Sequence, residues 1–122
     1  MNFQLEKFCV FQNEGSLKDA IALIELNKCR CVFAVTKDFK LVGSISEGDI
    51  IRFLLKGNDI HSSVNNCVNS SVLFVESKES LEQDDDRAFN LIKVHNLSAI
   101  PIVSSDLEML RVVSMQEFLK NS

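Results

Sequence analysis

The run Gly43-Ser44-Ile45-Ser46-Glu47-Gly48-Asp49 holds the residues of this chain best suited to chemistry. A glycine, a hydroxyl three residues on and a carboxylate three further fall where an apolar run gives way to a helical pattern. At such a junction the first amides of the helix and the positive end of its dipole favour an anion such as phosphate. Ser46 and Asp49, one turn apart, are suited to holding the two hydroxyls of a ribose. Arg30, Arg52 and Lys56 are the cations within reach of a phosphate. Lys56 also reads as a solvated helix charge, and Arg52 as the partner of Asp49 in an i, i+3 pair of about 0.2–0.5 kcal/mol. Ser-x-x-acid at a helix start is itself a capping box, which needs no ligand.

The elements that must position these residues follow from periodicity. Leu17, Ala20, Ile21 and Ile24 have the spacing of an amphipathic helix over 16–28, with Ser16 as N-cap. Cys31–Val35 reads as a buried strand, Lys37–Lys40 as a turn, and Leu41–Ile45 as the second strand of a hairpin. Ser46 then opens a helix that runs to Gly57. The same order returns: a helix around 81–95, a strand Ala99–Val103, a turn, a strand Met109–Val113, and a helix from 115. Val72–Val75 reads as a strand joining the halves, with Phe8–Phe11 as its counterpart. Between the halves, 58–71 is polar, with Val64, Cys67 and Val68 spaced for one helical turn.

The recurrence is an internal repeat. Residues 20–51 align with 88–119 without a gap: Ala20 falls on Ala88, Val35 on Val103 and Ser46 on Ser114. Each half is α-β-β-α, the division lying at 1–58 and 59–122, and the fold class is α+β with pseudo-two-fold symmetry. Either half alone is too small to bury a sufficient core. The second half carries four extra residues before Ala88, around Asp84-Asp85-Asp86, which read as a solvated helix start favoured by the dipole. His95 reads as a dipole partner at the end of the same helix.

A net charge of -4 leaves no basic footprint for nucleic acid or an acidic membrane. The N-terminus lacks a secretory pattern and no apolar run is long enough to span a bilayer, so a cytoplasmic location is expected. The four cysteines lack metal or redox spacing and read as buried, reduced thiols. A Cys29–Cys31 bridge on one strand face would be strained. No metal site is expected, and no catalytic cluster, so the chain is read as a non-catalytic module.

The motif and its repetition resemble the cystathionine β-synthase (CBS) domain, and the two copies resemble a CBS pair, or Bateman module. That resemblance implies clefts between the repeats that take an adenosine-type nucleotide (AMP, ADP or ATP). It implies Ser46 and Asp49 as ribose ligands within the Gly43 motif, and Cys31, Val32 and Phe33 lining the base pocket, joined by Ile100 and Pro101 from the second copy. There, Arg111 and Glu117 replace the glycine and aspartate. Ser114-Met115-Gln116-Glu117 reads as the better capping box of the two, and one competent site is expected. Gly48–Gly57 is similar to a stretch in CBS pairs that precede sugar-phosphate nucleotidyltransferase domains, as in nucleotide-sugar pyrophosphorylases. This implies a regulatory segment acting on such an attached domain. A homodimer is expected from apolar helix residues such as Phe53, Leu54, Leu55 and Phe118. The other reading is a structural dimerisation module without a ligand.

Overall fold

Ser16 and Asp19 close a reciprocal capping box at the start of α2 (Leu17–Asn27), and Lys28 ends the helix in the left-handed conformation. Ser80 and Gln83 do the same for α4 (Leu81–His95), which Asn96 ends in that conformation. The computed structural model describes residues 3–78 and 80–121, without the side chains of Phe3, Phe118, Lys120 and Asn121. The remaining elements are α1 (Phe3–Glu6), β1 (Cys9–Phe11), β2 (Cys31–Val35), β3 (Leu41–Ser46), α3 (Glu47–Leu55), a 3₁₀ turn (Val64–Asn66), β4 (Val75–Glu76), β5 (Ala99–Val103), β6 (Met109–Ser114) and α5 (Met115–Asn121).

Two three-stranded sheets result, ordered β1-β2-β3 and β4-β5-β6. In each, the first pair is parallel and the second antiparallel. The sequence repeat is kept at the level of register: Cys31 pairs with Ser46 and Ala99 with Ser114, and the ladder shifts at Ala34/Val35 and again at Ile102/Val103. Phe39 and Leu107, at equivalent places in the two hairpins, both have positive φ. Each repeat is therefore β-α-β-β-α, the short first strand completing the sheet. The expected strand over 72–75 shrinks to Val75–Glu76, since only these two residues find register partners on β5.

Alternation along β2 divides the core. Cys31, Phe33 and Val35 join Ala99, Val103, Met109 and Val112 in a cluster shared by the two sheets. Val32 and Ala34 face the other way, into a cluster with Leu17, Ala20, Ile24, Ile50 and Phe53 of α2 and α3. Ile100 and Ile102 pack with Ala88 and Ile92 of α4. Burying each Val, Leu, Ile, Phe or Met side chain among these contributes about 1.5–3 kcal/mol. Phe53, expected on an exposed dimer face, is instead 8% exposed, because it completes the core under α3. Leu54 and Leu55 are exposed, and the side chain of Phe118 lies outside the described residues.

The chain crosses between the repeats at two places. After α3, the Leu17 and Lys18 N–H groups donate to the Ser62 and Ile60 carbonyls at 2.9 and 2.7 Å, and Val64 N–H donates to the Gly15 carbonyl at 3.0 Å. Val64 and Cys67 are buried in the core of the first repeat. In the other direction, α1 packs on β6 of the second repeat, placing Leu5 in the cluster shared by the sheets.

The acidic run departs from expectation. Helix α4 has 15 residues against 11 in α2, and its additional turn is not simply solvated. Asp84 is 1% exposed, accepts from the Ser77 hydroxyl at 2.7 Å and pairs with Arg87 at 2.5 Å. Arg87 also donates to the Glu76 carbonyl, so one buried carboxylate fixes the start of α4 to β4. Asp85 pairs with Arg111, while Asp86 is exposed.

Candidate ligand cleft

The loop that leaves α2 forms one wall of a cleft between the repeats. Lys28 and Arg30 both have positive φ there, and Asn27, 3% exposed, holds the turn from inside. Its amide nitrogen donates to the carbonyls of Lys7 and Cys31, and its oxygen accepts from Cys29 N–H at 2.7 Å. A buried amide satisfied in this way fixes the backbone around it. The opposite wall is the matching loop of the second repeat. The Ser98 hydroxyl donates to the Cys29 carbonyl and lies 3.7 Å from the Cys31 thiol, and the Gln116 amide donates to the Lys28 carbonyl at 2.8 Å.

The open cleft between them has a volume of about 940 Å³, on the scale of sites that take small organic ligands. Its lining is apolar at Cys31, Phe33 and Val72 and polar at Ser44, Ser46 and Ser71. Lys28, Arg30, Glu47 and His95 also line it. Lys28 is engaged with Glu25 at 2.7 Å, an exposed pair whose hydrogen bond holds the Glu25 carboxyl below its ordinary range. Arg30 is exposed and makes no ion pair among the described residues.

Ser46 reaches this cleft, but it is already committed. It caps α3: Asp49 N–H donates to Ser46 Oγ at 3.1 Å, and Ser46 N–H donates to Asp49 Oδ2 at 2.9 Å. The other Asp49 oxygen accepts from Arg52 at 2.8 Å. Glu47 N–H donates to the Arg30 carbonyl, so two of the first amides of α3 have protein partners. Asp49 and Arg52 do not line the cleft.

Of the other candidates, Cys31 and Phe33 line the cleft, whereas Val32 and Ile100 are fully buried on the helix-facing sides of their sheets. Pro101 is buried opposite Val112 and is not part of the lining. Gly43 answers to the chain itself. A Cβ there would lie 2.5 Å from Asn69 O and from a Val68 methyl, because the segment after the 3₁₀ turn crosses β3 and bonds to Ser44 in both directions. Burial pushes the Cys31 thiol up to about 11, the nearby Cys29 adding to the effect and the Ser98 hydrogen bond opposing it. All four cysteines are free and buried, and each thiol is pushed up mainly by burial.

The second copy is not the better cap. Glu117 N–H donates to Ser114 Oγ at 3.2 Å, but among the described residues the return bond that Asp49 makes is not formed. Arg111, at the glycine position, does not enter the cleft either; its guanidinium reaches Asp85 and the Leu81 carbonyl on α4. Sequence reasoning missed Asn27, Ser44, Ser71 and Ser98. Asn27 occupied a visible position at the helix end opposite His95, but the others become neighbours only when the halves pack.

Residues 8–56 match the family model for the CBS domain. Among solved structures, a CBS domain pair/ACT domain protein from Thermotoga maritima superposes with a TM-score of 0.72 at 18% identity, over 98% of this chain and 95% of that one. A CBS domain protein from Pyrobaculum aerophilum complexed with AMP gives 0.68 at 16%, over 93% and 88%. The cytosolic domain of the Mg2+ channel MgtE, in complex with ATP, gives 0.68 at 15%; there this chain covers 44% of the other. No curated protein matches the sequence. Residues 8–56 are thus similar to the CBS domain, and the chain has the fold of these CBS pair proteins. No helix among the described residues is long and apolar enough to cross a membrane.

Proposed function

We propose that this chain is a ligand-sensing regulatory module that binds an adenosine-type nucleotide in the cleft between its repeats and so modulates an attached or partner enzyme. The observation that carries this reading is the cleft itself, walled by loops from both repeats and lined by Cys31, Phe33, Ser44, Ser46 and Ser71. The AMP and ATP complexes of proteins with this fold support the ligand class. In this reading the base lies against Cys31 and Phe33, with Val32 and Ile100 supporting the sheets from behind and Pro101 beside the floor. Ser46 and Asp49 turn from their mutual cap toward the ribose, and Arg30 or Arg52 meets phosphate. A ligand touching both walls biases how the repeats pack, and an attached domain reads that bias. The resemblance of Gly48–Gly57 supports a sugar-phosphate nucleotidyltransferase as that domain. The module works as a homodimer in the cytoplasm.

Dye-based melting with AMP, ADP and ATP tests the proposal, since the chain has neither Trp nor Tyr. A ligand at 100 times its Kd adds about 2.7 kcal/mol of stability. No shift with any of the three at millimolar concentration removes it.

One observation favours a second reading, a ligand-free dimerisation module: Ser46 and Asp49 already satisfy each other and Arg52. It predicts that Asp49→Ala costs a cap-sized ~1 kcal/mol and leaves any nucleotide response unchanged. The sensing reading predicts the same loss of stability together with a weakened response.

A further inference from the structure

Two side chains of the second repeat reach across the cleft to the loop that leaves α2, and they are not equivalent. Ser98 is half-buried. Its hydroxyl donates to the Cys29 carbonyl and lies 3.7 Å from the Cys31 thiol, and its own carbonyl accepts from Met115 N–H at 2.9 Å. Gln116 is exposed, as is Lys28, whose carbonyl accepts from the Gln116 amide at 2.8 Å. Water competes for the second bond far more than for the first.

The internal repeat makes Gln116 stand out. Cys31 pairs with Ser46 and Ala99 with Ser114, so Gln116 matches Gly48. Both line the cleft, but glycine has no side chain to send across it. The two helices that begin there also differ in how they start. Ser46 and Asp49 close a full capping box on α3. On α5, Ser114 accepts from Glu117 N–H, while the Glu117 carboxyl lies in the field of Asp85 and Arg111. The start of α5 thus has the weaker local cap and an added tie to the opposite wall.

We propose that Gln116 is a latch across the cleft: its amide holds the start of α5 to the Lys28 loop, and a nucleotide seated between the walls breaks that bond. The inference rests on the nucleotide reading above and specifies which element answers the ligand. Lys28 and Gln116 both line the cleft, so a ligand that fills it parts them, while the half-buried Ser98 bond stays and serves as the pivot. The first turn of α5 is then released. Ligand and latch oppose each other, and by linkage each weakens the other by the same factor.

Calorimetric titration of the full chain and of Gln116→Ala with AMP, joined to amide exchange over residues 116–119, tests the latch. In the parent, AMP is expected to speed exchange over 116–119 and to leave 47–50 unaccelerated. Gln116→Ala is expected to exchange fast over 116–119 without AMP, to change no further with it, and to bind AMP about two- to tenfold more tightly, the worth of one exposed hydrogen bond. A side chain with a merely structural role lowers the melting temperature and leaves affinity alone. Unchanged or weaker binding by Gln116→Ala, or exchange over 116–119 that AMP leaves unchanged or slows in the parent, overturns the latch while the nucleotide reading stands. No binding of AMP by either chain removes both.

Discussion

Asp49 and Asp84 show how far a carboxylate's role depends on neighbours distant in sequence. Asp49 belongs to a local capping box, and its i+3 partner Arg52 is local too, so both contacts are visible in the sequence. Asp84 sits in a run of three acids that reads as solvated, yet it is buried against Ser77 and Arg87. Removing one partner of a buried pair leaves the other charge without compensation. Asp84→Ala is therefore expected to cost about 3 kcal/mol or more in urea denaturation, whereas Asp86→Ala, at an exposed position, costs little. Equal effects would contradict the placement of Asp84. The thiols supply a pH test. Burial raises Cys31 from 9.0 to about 11 and Cys9 to about 12. The unfolded chain loses these protons near pH 9 while the folded chain keeps them. Stability is thus full below about pH 9 and falls as pH rises through the window up to about 11–12. Melting temperatures that stay flat across that window would show the thiols to be accessible.

At the scale of elements, the repeat was legible because identical hairpin registers impose matching apolar columns: Val35 on Val103, and Ser46 on Ser114. The helix starts were legible because a cap is a four-residue pattern. What was not legible is what those columns face. Gly43 read as part of a ligand-binding motif, but its close neighbour is Asn69, brought over β3 by the crossing of the linker. Its counterpart Arg111 read as the residue that spoils the second site, but it faces α4, whose additional turn supplies Asp85. No local pattern reports either contact. Gly43→Ala drives a methyl into the Val68–Asn69 segment and is expected to cost about 1–3 kcal/mol, the range for overpacking. An unchanged urea midpoint would mean that the linker does not press on β3 as described.

For the whole molecule, the two sheets share one of three apolar clusters, and the cleft exists only because loops from both halves meet over it. Ser98 and Gln116 connect the walls, so a ligand seated between them acts on the packing of the halves rather than on one repeat alone. Ile51, Leu55 and Leu119 leave apolar surface exposed on α3 and α5, a surface that suits a second copy. Sedimentation at high micromolar concentration is expected to show a dimer, and monomer throughout would contradict that assembly. The central claim is occupancy of the cleft, and one titration addresses it directly. Ser71 is exposed and lines the cleft, so Ser71→Trp fills the space without disturbing the core. Isothermal calorimetry with AMP should give one equivalent for the parent chain and none for Ser71→Trp, while equal binding by both chains, or none by either, would contradict the account.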